Sequence, residues 1–144
     1  MVILALAGVL AACARMPGGA PSAGSVSVLP PALLGTWSIA TMTPPNDSVV
    51  ATGVTTFEAD GSMRILYSGR TDTVVARLVS VSEDSLGIEV VRESGPYPSA
   101  VRPGTQVTTR TVTRFRGDTG TGTWTGIYTD GETRTGRLRA VRLR

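Results

Sequence analysis

From residue 33 onward, apolar side chains recur at every second position in run after run, with polar residues between them. Val107, Thr109, Thr111, Thr113 and Phe115 share one parity, and Arg110, Arg114 and Arg116 the other. Leu86, Ile88 and Val90 share a face opposite Glu89 and Glu93, and Val74, Ala76 and Leu78 oppose Arg77. A period of two belongs to strands with one buried face, because successive side chains point to opposite sides of a sheet. No ten-residue stretch of this region carries the i, i+3, i+4, i+7 spacing of an amphipathic helix. Strands are expected over residues 34–42, 49–59, 62–68, 73–82, 86–93, 105–116, 122–129 and 132–143. Asp60-Gly61 and Asp130-Gly131 mark tight hairpin turns, and Glu83-Asp84-Ser85 a third short link. Short links make successive strands antiparallel neighbours. The expected fold is all-β, a single antiparallel up-and-down meander of about eight strands. Closing such a meander into a small barrel removes its two free edges.

The first 32 residues follow another pattern. Val2 to Leu10 is an apolar run, too short to span a bilayer and of the length of a signal-peptide core. It ends in Leu10-Ala11-Ala12-Cys13, and Cys13 is the only cysteine of the chain. This resembles the lipobox of bacterial lipoproteins, a leucine and two small residues before a cysteine. The resemblance implies a signal peptide over residues 1–12, with Leu10, Ala11 and Ala12 read by the signal peptidase. It implies diacylglycerol on the Cys13 sulfur and an acyl chain on its new amine. Two or three chains anchor a protein stably where one does not. The absence of Lys and Arg between Met1 and Leu10 departs from the basic opening usual in the family. Residues 14–32 are rich in Pro, Gly, Ala and Ser and read as a flexible tether of about 25 Å mean span. Val26, Val28 and Leu29 are candidates for docking on the domain as a short edge strand. The expected location is the cell envelope. In a Gram-negative cell, Ala14 in place of an aspartate favours the periplasmic face of the outer membrane.

Leu34-Gly35-Thr36-Trp37 at the first strand resembles the Gly-x-Trp signature of lipocalin-like domains. Thr56-Phe57-Glu58-Ala59-Asp60-Gly61 is similar to the second-strand hairpin of small bacterial members. The resemblance covers residues 33 to 68 and implies a lipocalin-like barrel over residues 33–144. It places Trp37 at one barrel end, with Arg139 or Arg142 from the last strand packed across it. The Thr-Asp-Tyr motif of lipocalins is missing, since Tyr128-Thr129-Asp130 has another order. Gly122-Thr123-Trp124 repeats the Gly-Thr-Trp triplet, which avidin-like barrels also use, but no polar set matches a biotin site. Both tryptophans read more simply as core and barrel-end packing than as ligand contacts. The connection from Ser94 to Gly104 carries three prolines, Tyr97 and Arg102. Tyr97 and Arg102 are candidates for a cavity mouth or an anion contact, against a rigid crossover with Tyr97 capping the core.

Composition narrows the chemistry. Histidine and lysine are absent from the 144 residues, and all 14 basic side chains are arginine. That removes imidazole acid–base chemistry, His-based metal sites and Schiff bases. The one thiol is assigned to lipid, so thiolate nucleophiles and metal sites are not expected either. No cofactor is expected, and the chain reads as a non-enzyme. Glu58 with Asp60, and Asp130 with Glu132, flank hairpin turns where acids are common for solvation. Gly117-Asp118-Thr119-Gly120 is a turn, with no following helix to hold a phosphate. Residues 102–144 hold nine arginines against Asp118, Asp130 and Glu132, a local charge of +6, and the rest of the chain is at −3. Nucleic acid is not an expected partner for a protein outside the cytoplasm. Two readings follow. One is a membrane-anchored binding module with a small apolar ligand, in a cavity lined by Val74, Leu78, Ile88, Val90 and Phe115. The other is an interaction lipoprotein that sets Arg110, Arg114, Arg116, Arg137 and Arg139 against an anionic surface or an envelope protein.

Overall fold

The computed structural model describes residues 28–144; Cys13, Leu10, Ala11, Ala12 and most of the tether lie outside them. Eight strands follow in chain order: β1 Gly35–Thr43, β2 Ser48–Phe57, β3 Met63–Tyr67, β4 Val74–Asp84, β5 Gly87–Pro98, β6 Gln106–Arg116, β7 Thr119–Tyr128 and β8 Thr133–Arg142. Each pairs antiparallel with the next, and β8 returns to pair with β1, so the meander closes into a barrel. The all-β, up-and-down architecture is the one expected, and it is consistent with a small lipocalin-like barrel. Among the described residues no helix is long and apolar enough to cross a membrane.

The inward positions follow the period of two. Val107, Thr111, Thr113 and Phe115 of β6 are buried, with Thr109 partly so, and Arg110 and Arg116 are exposed. Val74, Ala76 and Leu78 of β4 likewise face in, and Arg77 faces out. On β5, Ile88 and Val90 are buried, but Leu86 precedes the strand and is exposed in the turn, which corrects its expected place on their face. The Asp60 and Asp130 carboxylates accept backbone N–H bonds from Ser62 and Glu132, closing the β2–β3 and β7–β8 turns. Gly61 and Gly131 supply the positive φ these turns need, at 83° and 88°.

Two expected boundaries move. β5 continues to Pro98, into the stretch read as loop, because a register shift between Ser94 and Tyr97 accommodates Pro96, and Pro98 pairs with Gln106. β7 begins at Thr119, where Thr119-Gly120-Thr121 pairs with Val141, Ala140 and Arg139 without an apolar side chain to announce a strand. Leu29, in the stretch read as tether, is buried in the core, followed by a short 3-10 turn over Pro31–Leu33 rather than an edge strand. Leu33 is fully buried as well.

Candidate functional site

The two ends of the barrel differ in how the chain turns. At one end β2–β3, β4–β5 and β6–β7 join through short turns, and the Pro31–Leu33 turn lies across the opening. Trp37 is fully buried there, and its indole N–H donates to the Leu33 carbonyl at 2.9 Å. The Trp37 and Phe115 rings meet edge-on at 4.8 Å, and Phe57 meets Phe115 at 5.7 Å. Leu29, Ile39, Met63, Val90, Leu138 and Ala140 fill the remaining space. Gly120 is small by necessity, since a Cβ there would stand 2.8 Å from the Phe115 ring. Register places Arg142 beside Trp37, and its guanidinium lies 4.3 Å from the ring centroid. The same guanidinium donates to the Leu34 and Ala32 carbonyls and pairs with Asp118 at 3.1 Å. Of the two candidates from the last strand, Arg142 is therefore the one that closes the end. Arg139 has the opposite parity, faces outward and is exposed, which corrects its assignment to the barrel end.

This packing also relocates the cavity. Val74, Leu78, Ile88, Val90 and Phe115 belong to the packed core and do not line the cavity in the other half of the lumen. Only a void of about 10 Å³ touches Val90 and Phe115.

The other half of the lumen is open, with an apolar wall and a few polar groups. A cavity of about 110 Å³ lies there, reached between the β3–β4 and β5–β6 loops. Trp124, Tyr128, Val107, Val50 and Val101 form its apolar wall. Trp124 is held by its N–H, which donates to the Met42 carbonyl at 3.0 Å. Gly136 makes that contact sterically available, because a Cβ there would meet the Met42 oxygen at 1.9 Å and the indole nitrogen at 2.6 Å. Tyr67 and Tyr97 stack at 5.8 Å on the opposite side. The Tyr97 hydroxyl donates to Tyr67 at 3.3 Å, and Thr109 bridges Tyr97 at 3.4 Å to Ser94 at 2.7 Å. Burial first, and the neighbouring Tyr67, push the Tyr97 phenol well above its usual range, so it stays protonated.

Arg92 reaches the cavity from the middle of β5 and is only 6% exposed. Its Nε donates to Thr111 at 2.7 Å, and its Nη1 donates to Thr55 at 3.3 Å and the Met63 sulfur at 3.2 Å. No carboxylate pairs with it among the described residues. Burial lowers its pKa, yet a guanidinium remains charged in proteins. The sequence reading did not single out Arg92, although its even number sets it on the inward face with Ile88 and Val90.

The remaining candidates divide. Tyr97 lines the cavity as one reading of the Ser94–Gly104 connection required. Arg102 does not line it. It pairs with Asp130 at 2.6 Å and with Glu132, and its guanidinium lies 5.5 Å from the Tyr128 ring. It ties the β5–β6 loop to the β7–β8 turn, a correction to its role as an anion contact. Trp37 is structural at the closed end, and Trp124 touches the cavity. No group of three or more Asp, Glu, His or Cys is placed to hold a metal among the described residues. Comparison with protein-family models, curated proteins and solved structures found nothing that matches this chain.

Proposed function

We propose that the protein is a lipid-anchored envelope protein whose barrel holds one small ligand with an apolar body at its open end. The observation that carries this reading is the asymmetry of the lumen. One half is filled by Leu33, Trp37, Phe57 and Phe115, and the other keeps a cavity walled by aromatic and hydroxyl side chains. A concave, largely apolar site with a few converging polar groups is the usual form of a small-molecule pocket. Its volume, about 110 Å³, approaches the ~150 Å³ of an engineered cavity that admits benzene, so the buried part of the ligand is about that size. The lipobox ending in Cys13 supports attachment to the membrane, and Ala14 supports the outer membrane in a Gram-negative cell.

The alternative surface reading is weakened at three of its five arginines. Arg110 pairs with Glu93, Arg114 with Asp84 and Glu89, and Arg137 with Asp47. These three neutralise acids of their own barrel wall, whereas Arg116 and Arg139 are exposed without one.

Titration calorimetry of the full-length protein with six-carbon alcohols, amides and acids is expected to show saturable binding at one site. Absence of saturable binding by every member of the set would overturn the cavity reading. Globomycin treatment of cells is expected to block processing, and Cys13→Ser to abolish lipidation in mass spectra. Wild-type protein secreted without lipid would overturn the anchor.

A further inference from the structure

We infer that the ligand is a small monoanion, a carboxylate with a short apolar tail, whose head group is held by the Arg92 guanidinium; this rests on the binding reading above. The case begins with how the other arginines are treated. Nine arginines among the described residues pair with a carboxylate. The three others without one, Arg64, Arg116 and Arg139, are exposed, where water solvates the charge. Among the described residues Arg92 alone is both buried and without an acid. Removing a cation from water without a counter-charge is strongly unfavourable, and two threonine hydroxyls and a sulfur return only part of that loss. An anion bound from outside would supply the rest.

The surroundings suit a carboxylate. With Nε and Nη1 bonded to Thr111, Thr55 and Met63, the two Nη2 N–H groups of Arg92 are left to meet a carboxylate in charge-assisted hydrogen bonds. Tyr67 and Thr111, which accept from Tyr97 and Arg92, bring hydroxyl protons of their own to the same cavity for the carboxylate's remaining lone pairs. Arg70 is the other cation at the cavity, but it is bonded to Asp72 and to the Pro98 carbonyl. One uncompensated positive charge therefore calls for a single negative one, which favours a carboxylate over a phosphate monoester. Beyond the head group, Trp124, Tyr128 and Val107 offer apolar surface for a tail.

The test is calorimetry on the full-length protein in nanodiscs with hexanoate, hexanamide, hexyl phosphate and acetate. Hexanoate is expected to bind at one site, at least about tenfold more tightly than hexanamide. Acetate, with no tail, is expected to bind weakly. Hexanoate affinity is expected to fall as pH drops below about 5, where the free acid takes up its proton. Arg92→Met is expected to weaken hexanoate binding about tenfold or more and leave hexanamide unchanged. Its thermal midpoint is expected to hold or rise, because a buried unpaired charge has gone. A purely structural arginine would lower that midpoint and change both ligands alike. Equal affinities for hexanoate and hexanamide overturn the anion inference and leave the cavity reading standing. Tighter binding of hexyl phosphate or equal binding of acetate overturns the ligand class. Failure of every six-carbon probe overturns both. If Arg92→Met does not fold, the wild-type comparison of acid with amide and its pH profile decide alone.

Discussion

Arg142 at the closed end of the barrel and Arg92 in its open half are treated in opposite ways. Arg142 at the closed end has a ring face, two backbone carbonyls and Asp118 around its guanidinium. Arg92 in the open half has two threonine hydroxyls and a thioether, and no acid. Arg142 keeps contact with solvent at the rim, whereas Arg92 is among the most buried polar side chains. A cation that is fully satisfied by its own chain stabilises the fold and has nothing left to offer a ligand. A cation left partly satisfied weakens the fold and reserves its binding capacity. The closed half is accordingly where stability is concentrated, and the open half is where the structure carries a deficit.

Mutations in the two halves should therefore separate stability from binding. Trp37→Ala removes the largest fully buried side chain and the contact that orders Phe115. It is expected to cost about 3–5 kcal/mol in urea unfolding, enough to unfold a marginal domain. Arg142→Met strips donors from the Leu34 and Ala32 carbonyls and the cation from the indole face. A loss of about 2 kcal/mol in the same assay is expected, with hexanoate affinity within about twofold of wild type. Gly136→Ala forces a Cβ into the Met42 carbonyl. It is expected to destabilise by about 1–2 kcal/mol and to shift Trp124 fluorescence, since the indole loses its place on that carbonyl. Arg92→Met is expected to leave urea stability unchanged or raise it by about 1 kcal/mol. A clear loss of stability there would erase the contrast between the two arginines.

The smallest effect lies outside the lumen and depends on pH. Hydrogen bonding from Arg114, then from the Leu86 N–H, holds the Asp84 carboxyl below its usual range. A depressed folded-state pKa gives a contribution that is complete above the unfolded value, near pH 4, and is lost as pH falls through the folded one. Asp84→Asn is therefore expected to narrow the gap between urea midpoints at pH 7 and pH 3. The wild type and variant should converge at the acid end.

Most of the barrel was legible because alternation is a strong signal in strands with one buried face. β6 is the clearest case, with five inward residues at every second position and arginines between them. The missed half of β5 shows the limit. Pro96 and Pro98 read as loop, because proline cannot donate to a ladder and is usually confined to edges and bulges. The bulge that admits Pro96, and the pairing of Pro98 with Gln106, depend on β6 lying alongside. Arg92 escaped notice for a different reason. Parity alone sets it inward, but an inward arginine in a strand is expected to have an acid, and that absence is visible only in three dimensions. Arg102 and Tyr97, read as a pair from one segment, separate because the β7–β8 turn presents Asp130 and Glu132 to the arginine alone. Cys13 lies outside the described residues, and its role as an anchor is a proposal read from the lipobox pattern.

The latch at the closed end has a consequence for the order of folding. Arg142 and the Leu34 carbonyl it grips are 108 residues apart, and the β8–β1 ladder joins the last strand of the barrel to the first. Local hairpins can form as the chain emerges, but this seam waits for the whole meander. Contacts of such high sequence separation slow folding, because a long loop must close before they yield any stability. Until then β1 and β8 are both open edges, able to recruit a strand from another chain. Exposed Arg137 and Arg139 on β8 place like charges along one of those edges, where two copies would repel each other. The outward arginines of the last strand thus protect the unfinished barrel, a task that ends once the seam has closed.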